Sequence, residues 1–95
     1  MKILHTANGR FTEVSLAPLT HDAKQDCAVI EQNLMKFARR NGGIETLCVD
    51  FSGEYIPIQS RDELRIVAMM LRAYATKPED PSLSYDQVRH NIRSC

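Results

Sequence analysis

The chain has 95 residues, of which 43% are hydrophobic and 25% are charged. This length supports a single core, and the composition is that of globular rather than disordered proteins. Twelve basic and twelve acidic residues give a formal net charge of +0, and neither sign is concentrated in a block. The electrostatic footprint of a nucleic-acid or membrane-surface binder is therefore missing, and we expect neither partner.

The cysteines indicate neither a disulfide framework nor a metal site. Cys27, Cys48 and Cys95 are odd in number and far apart, and no C-x-x-C pair or suitably spaced histidine accompanies them. We therefore expect no metal and no cofactor. The first residues lack the apolar stretch of a signal peptide, and no run is long enough to span a bilayer, which predicts a cytoplasmic protein.

The first predicted element is a β-hairpin. Asn8-Gly9 lies between two runs that favour strands, and this dipeptide suits a two-residue turn because both of its positions need positive φ. Pro18 has no N–H to donate and ends the second strand.

A helix is predicted to follow, with Thr20 as its N-cap and Asn41-Gly42-Gly43 as its stop signal. Its apolar positions recur at intervals of three and four residues, which places them on one core-facing side: Ala23, Cys27, Ile30, Leu34 and Phe37. Cys27 is read as a small buried hydrophobe rather than a reactive thiol.

The next strand is predicted from alternation. Leu47, Val49 and Phe51 share one side, while Cys48 and Asp50 lie on the solvent side. Ser52-Gly53 permits a turn, and Pro57 restricts the extended chain that follows to a sheet edge or to irregular structure.

The second helix begins at a predicted capping box formed by Ser60 and Glu63. Lys77-Pro78 ends it, because the residue before a proline avoids helical backbone. The sequence therefore predicts one domain over 1–77. Residues 78–95 are predicted to form a loop and a short helical segment that packs on the domain or stays flexible.

These elements predict an α+β class: a single two-layer domain in the order β-β-α-β-(β)-α, with a small sheet covered by two helices. The segments "NGRFTEVSL" and "SGEYIPIQS" occupy similar places in the two halves. An internal duplication is therefore one open interpretation of the chain.

Catalytic chemistry has one candidate location, at the end of the second predicted strand pair. Asp50, Ser52 and Tyr55 place a carboxylate and hydroxyls near a glycine turn. The simpler interpretation is that Asp50 accepts backbone N–H bonds of the turn. A small-ligand site or an enzyme site here is the alternative to a non-catalytic function.

The stretches "LCVDFSGEY" and "IPIQSRDEL" resemble the STAS family, the anti-sigma-factor-antagonist-like domains, over about half the chain. In that family a strand of the type V-L-D-L-S-G precedes an I-D-S-S-G-L segment that opens the next helix. The resemblance implies that Ser60 lies near the family's phosphorylatable serine. It also implies a domain that binds a regulatory kinase or another protein through this helix.

The helix of residues 60–77 has more apolar positions than one core-facing stripe needs. Leu64, Val67, Ala68, Leu71 and Ala75 form the stripe, and a second set lies beside it: Ile66, Met69, Met70 and Ala73. We expect either the C-terminal segment or a partner to cover this second set, and methionine adapts well to a partner surface. The sequence thus favours a non-catalytic, regulatory interaction domain with a protein partner or a homodimer. Its small size also fits a phage or mobile-element product.

Overall fold

The protein forms one two-layer α+β unit in the computed structural model, which describes residues 1–76 and 84–94. The predicted fold class is confirmed. The elements in chain order are β1 (Lys2–Ala7), β2 (Arg10–Glu13), α1 (Ala23–Arg40), a short 3₁₀ turn (Ile44–Thr46), β3 (Leu47–Phe51), β4 (Glu54–Pro57), α2 (Arg61–Thr76) and α3 (Tyr85–Arg93). The loop predicted after residue 77 lies outside the described residues, as does Cys95.

The sheet has the order β2-β1-β3-β4, and every neighbouring pair is antiparallel. Each half is a hairpin closed by a two-residue turn with positive φ at both positions: 53° and 74° at Asn8 and Gly9, and 53° and 85° at Ser52 and Gly53. This is the turn geometry that matches the right-handed twist of the strands. The hairpin predicted at Asn8-Gly9 is confirmed, and Pro57 lies on an edge strand as expected.

The two hairpins are related by an approximate two-fold axis through the centre of the sheet. Leu4 pairs with Glu13 in the first hairpin, and Cys48 pairs with Pro57 in the second. Leu4 also pairs with Cys48 where the hairpins meet. Each residue of one hairpin therefore has a counterpart at the same register in the other, a geometry that an internal duplication would produce.

Helices α1 and α2 cover one face of the sheet and form an aliphatic core with it. The core residues include Ile3, Val49 and Ile56 from the strands and Leu34 and Val67 from the helices, all 1% exposed or less. Burial of such side chains contributes about 1.5–3 kcal/mol each.

Helix α3 adds to the same core through Val88 and Ile92, which are fully buried. It begins with a complete capping box, in which Ser84 and Gln87 each accept the other residue's backbone N–H. Its position is further fixed by Arg93, which donates to the Glu63 carboxylate and to the Pro57 carbonyl oxygen.

The start of α1 differs from the sequence prediction. Asp22 is the N-cap and accepts from the Gln25 N–H at 3.1 Å, whereas Thr20 instead donates its N–H and hydroxyl to the buried carboxylate of Asp26. Cys27, predicted to be buried, is only half-buried because Asp26 takes the inward position.

Asp26 is turned inward by an ion pair with the second helix. Arg72 Nε lies 2.7 Å from Asp26 Oδ2, and both side chains are largely buried. Arg72 Nη2 also donates to the Thr20 carbonyl oxygen at 3.2 Å. Burial acts to raise the pKa of Asp26, but the hydrogen bonds from Arg72 and Thr20 outweigh it and hold that pKa below its usual value.

The capping box at the start of α2 is present in altered form. The Glu63 N–H donates to Ser60 Oγ at 3.2 Å, as predicted. The Glu63 carboxylate accepts from the Gln59 N–H at 2.9 Å rather than from Ser60, and Arg93 shares the same oxygen. One carboxylate oxygen of Glu63 therefore takes part both in the cap of α2 and in the contact with α3.

We expect Asp26→Asn to reduce stability at neutral pH and to flatten its acid dependence. A carboxyl whose pKa is lowered in the folded state stabilises that state above its unfolded pKa of about 3.9, and this contribution is lost as pH falls through the folded pKa. The measurement is urea unfolding of wild type and variant at several pH values between about 7 and 3.

Asp22→Asn is the matched control for that substitution, because asparagine is an equally good N-cap and the ion pair with Arg72 is untouched. At neutral pH it should unfold at nearly the wild-type urea concentration. If Asp26→Asn kept the wild-type dependence on pH, the Asp26 carboxylate would have no part in acid stability.

Candidate interaction surface

The face of the sheet opposite the helices is a candidate functional surface, which we call the open face. Strand alternation and the pairing register assign side chains from all four strands to it: Lys2, Leu4, Thr6, Phe11, Glu13, Cys48, Asp50, Tyr55 and Pro57. Among the described residues, no helix packs on this face.

Two aromatic rings stack on the open face. The ring centroids of Phe11 and Tyr55 lie 4.7 Å apart with an interplanar angle of 11°. Phe11 belongs to edge strand β2 and Tyr55 to the opposite edge strand β4, at positions that the approximate two-fold axis relates. The rings must therefore reach from both edges and meet over the two central strands.

The centre of the open face is buried under this aromatic pair. Leu4 and Cys48 are 8% and 5% exposed, yet neither belongs to the hydrophobic cluster beneath the helices. The sequence predicted that Cys48 lies on the face of its strand that is turned away from the core. The predicted face is correct, but the side chain is buried rather than exposed to solvent. We infer that the two rings, which meet over the central strands, cover Cys48, a contact that alternation within one strand cannot reveal.

Burial also changes the chemistry of Cys48. Desolvation, together with the nearby charge of Asp50, raises the pKa of the Cys48 thiol. A raised pKa lowers the fraction of reactive thiolate, so Cys48 is an apolar packing group rather than a nucleophile.

The rings themselves remain accessible from above. Phe11 is 53% exposed and Tyr55 is 45% exposed, which makes them two of the largest exposed apolar side chains of the described residues. Phe11 was not among the site residues predicted from the sequence. A signal was present, because each hairpin turn is followed two residues after its glycine by an aromatic side chain, in "NGRF" and in "SGEY".

Asp50, Ser52 and Tyr55, the residues predicted as a possible ligand site, are not brought together into one site. Asp50 pairs with Tyr55 across two strands, while Ser52 lies in the turn. Asp50 Oδ1 accepts from the Gly53 N–H at 3.0 Å, which is the turn-forming role of the simpler interpretation. The three side chains share no hydrogen bond among the described residues.

The predicted surface on α2 is partly exposed. Met69 is 52% exposed and Ala73 is exposed, whereas Ile66 and Met70 are half-buried and Met70 packs against the core. The inward stripe is present, except that Ala75 is exposed. A partner surface on α2 stays a prediction, with Met69 as its most accessible apolar member.

Other polar groups and cavities have structural explanations. Within residues 1–76 and 84–94, no three acidic, cysteine or histidine side chains are grouped as metal ligands, and no buried side-chain polar atom lacks a hydrogen bond. A cavity of about 50 Å³ lies between residues 17–20 and α1, below the roughly 300 Å³ of the smallest usual ligand pockets. Depressions of about 300 and 440 Å³ along α3 are wide open to solvent.

Comparisons of the chain with protein-family models, curated proteins and solved structures found no match. The resemblance to STAS domains stays a prediction. Ser60, which that resemblance implies as a phosphorylation position, is exposed at the start of α2, where its Oγ accepts the Glu63 N–H. None of the described helices is both long and apolar enough to cross a membrane.

We expect Phe11→Ala to uncover Cys48. Loss of the stacked pair should lower the free energy of unfolding by about 0.5–1.5 kcal/mol and should speed alkylation of Cys48 by iodoacetamide several-fold. The measurement is the labelling rate of the Cys48 peptide by mass spectrometry, with the half-buried Cys27 as an internal reference.

Leu19→Ala removes an exposed apolar side chain that lies beside α1, on the other side of the sheet, and serves as the control. It should leave the labelling rate of Cys48 unchanged. Equal rates in wild type and Phe11→Ala would mean that the ring does not protect the thiol.

Proposed function

We propose that the protein is a non-catalytic, regulatory interaction domain that binds a protein partner through the open face. The observation that carries the proposal is the exposed stack of Phe11 and Tyr55. An exposed aromatic pair leaves a large apolar area in contact with water, which is unusual on a surface that binds nothing.

The chemistry of the open face favours a protein over a nucleic acid. Aromatic side chains, tyrosine above all, are enriched at the centres of protein interfaces and account for much of the binding energy there. Around the rings, one positive side chain, Lys2, accompanies the negative Glu13 and Asp50. A polyanion would need a clear excess of positive charge, which this face does not offer.

The rings are also well prepared for binding. They stack at 4.7 Å, and Leu4 and Cys48 at the centre of the same face are buried. A side chain that is already ordered loses little conformational freedom when a partner covers it, so less of the contact energy is offset.

A second candidate surface is the predicted one on α2. Met69 is as exposed as Phe11 and lies beside Arg65, which pairs with Glu31 of α1 at 3.2 Å. Methionine on a helix surface suits an adaptable protein contact. The open face is the stronger candidate, because two rigid rings supply more apolar area than one flexible side chain.

The alternative of a small-ligand or enzyme site near Asp50, Ser52 and Tyr55 is less well supported. The carboxylate of Asp50 is engaged with the turn N–H of Gly53, and the Tyr55 ring is engaged with Phe11. Neither side chain lines the cavity or the depressions described above, whereas a ligand site requires an enclosed pocket.

We expect the double variant Phe11→Ser, Tyr55→Ser to lose its protein partner. Wild type and variant are immobilised, exposed to an extract of the source cells and compared by quantitative mass spectrometry. Each differentially retained protein is then purified and its binding is measured by titration calorimetry. Loss of two central aromatic anchors should weaken binding at least about 30-fold, the factor that corresponds to roughly 2 kcal/mol.

Met69→Ser and Leu19→Ser are the matched controls, since each removes an exposed apolar side chain outside the open face. Both should retain the partner, and circular dichroism establishes that each variant folds. Loss of binding in Met69→Ser alone would transfer the function to α2. Unchanged binding in every variant would reject both surfaces.

A further inference from the structure

The two edges of the sheet are treated differently, and the difference concerns backbone hydrogen bonds. On β4, the outward carbonyl oxygen of Tyr55 accepts from the Tyr85 hydroxyl at 3.3 Å, and that of Pro57 accepts from Arg93 Nη2 at 2.8 Å. Pro57 also has no N–H to offer. Helix α3 and a proline therefore block this edge against a further strand.

Strand β2, at the other edge of the sheet, has the same backbone geometry as β4. Among the described residues, no helix and no proline blocks its outward backbone groups. The Val14 N–H donates to the Ile3 carbonyl oxygen at 3.0 Å, so alternate residues of β2 turn their backbone groups toward β1, and Phe11 and Glu13 turn theirs outward. Phe11 and Glu13 are the counterparts of Tyr55 and Pro57 across the two-fold axis. Among the described residues nothing bonds to these outward groups, and all four side chains of β2 are exposed.

We propose that β2 is a pairing edge for β2 of a second copy of this chain, in an antiparallel two-fold arrangement centred on Thr12. In this register Phe11 exchanges both backbone hydrogen bonds with Glu13 of the second copy, and Glu13 does the same with its Phe11. Every outward backbone group of the strand then has a partner.

The neighbouring registers are worse. Centring the pair on Phe11 would place Glu13 opposite Gly9, which belongs to the turn rather than to the strand. Centring it on Glu13 would place two carboxylates directly opposite each other, which destabilises a strand pair. With Thr12 at the centre, Glu13 faces Phe11 and Arg10 faces Val14, so no like charges oppose each other.

A second copy of the chain suits this edge, because pairing of β2 with β2 gives a closed dimer with two-fold symmetry. In the described part of each chain one sheet edge is free and the other is blocked, so pairing through β2 uses both free edges and stops at a dimer rather than a fibre. The product is a continuous sheet with the blocked β4 strands at both ends. A two-fold axis perpendicular to the sheet leaves both open faces on the same side, so the dimer presents two aromatic stacks to one partner surface.

The first test introduces a proline into the free edge strand β2, at the position that corresponds to Pro57 in β4. Glu13→Pro copies Pro57 and removes an outward N–H that β1 does not use, while Glu13→Ala changes the side chain and keeps the N–H. Sedimentation equilibrium over a wide concentration range should show a wild-type dimer, the same dimer in Glu13→Ala, and at least about tenfold weaker association in Glu13→Pro. A monomeric wild type, or equal association in Glu13→Pro, overturns the proposal.

The second test does not depend on Glu13→Pro folding. Cα atoms of a pair without direct hydrogen bonds lie about 4.5 Å apart, within disulfide range. Thr12→Cys should therefore form a disulfide-linked dimer under mild oxidation, with the link mapped to position 12 in both chains. Arg10→Cys, exposed on the same strand but out of register with itself, should not. A link in both variants or in neither contradicts the register.

A third variant separates this inference from the proposed partner surface. Tyr55→Ser alters the open face at the opposite edge and leaves β2 intact. It should sediment as the wild-type dimer even where partner binding is lost. If Tyr55→Ser dissociated the dimer, the copies would associate through their open faces and not through β2.

Discussion

The pairing of β1 with β3 is the contact on which the rest of the structure depends. It joins residues 2–5 to residues 47–50 and so links the two hairpins into one sheet. The register of this pairing determines which side chains face the helices and which lie on the open face. It places Ile3 beside Val49 under the helices and Leu4 beside Cys48 on the open face. A slip by one residue would exchange these faces and expose the core side chains.

Two ion pairs, one largely buried and one partly buried, then orient the helices on this sheet. Asp26 with Arg72 ties α1 to α2, and Glu63 with Arg93 ties α2 to α3. Buried pairs of this kind contribute little net stability, because desolvation offsets much of their attraction, but leaving one partner unpaired is costly. Their effect is to select one arrangement of helices over others that the aliphatic contacts alone would allow.

The asymmetry of the molecule follows from α3. The sheet alone has two equivalent edges, and only one of them receives Tyr85 and Arg93. Arg93 therefore has two effects, because it fixes α3 to Glu63 and also occupies a carbonyl oxygen of β4. The free edge lies on the same strand as Phe11, whose ring belongs to the open face. The proposed partner surface uses the side chain of this residue and the proposed strand pairing uses its backbone, so the two would not compete.

The sequence by itself determined the elements whose cause lies within a few residues or in a simple period. The turn at Asn8-Gly9, the cap at Ser60 and the core stripe of α2 were predictable, because turn φ values, capping bonds and helical spacing are local. Tertiary structure decided the features that depend on contacts between residues far apart in the sequence. Thr20 failed as the N-cap because Asp26, held by Arg72 from 46 positions away, takes its donors. The burial of Cys48 and the position of Phe11 on the candidate surface depend on rings from opposite edges of the sheet meeting over its centre. A pattern read along one strand cannot predict that contact, because the two hairpins come together only when the sheet forms.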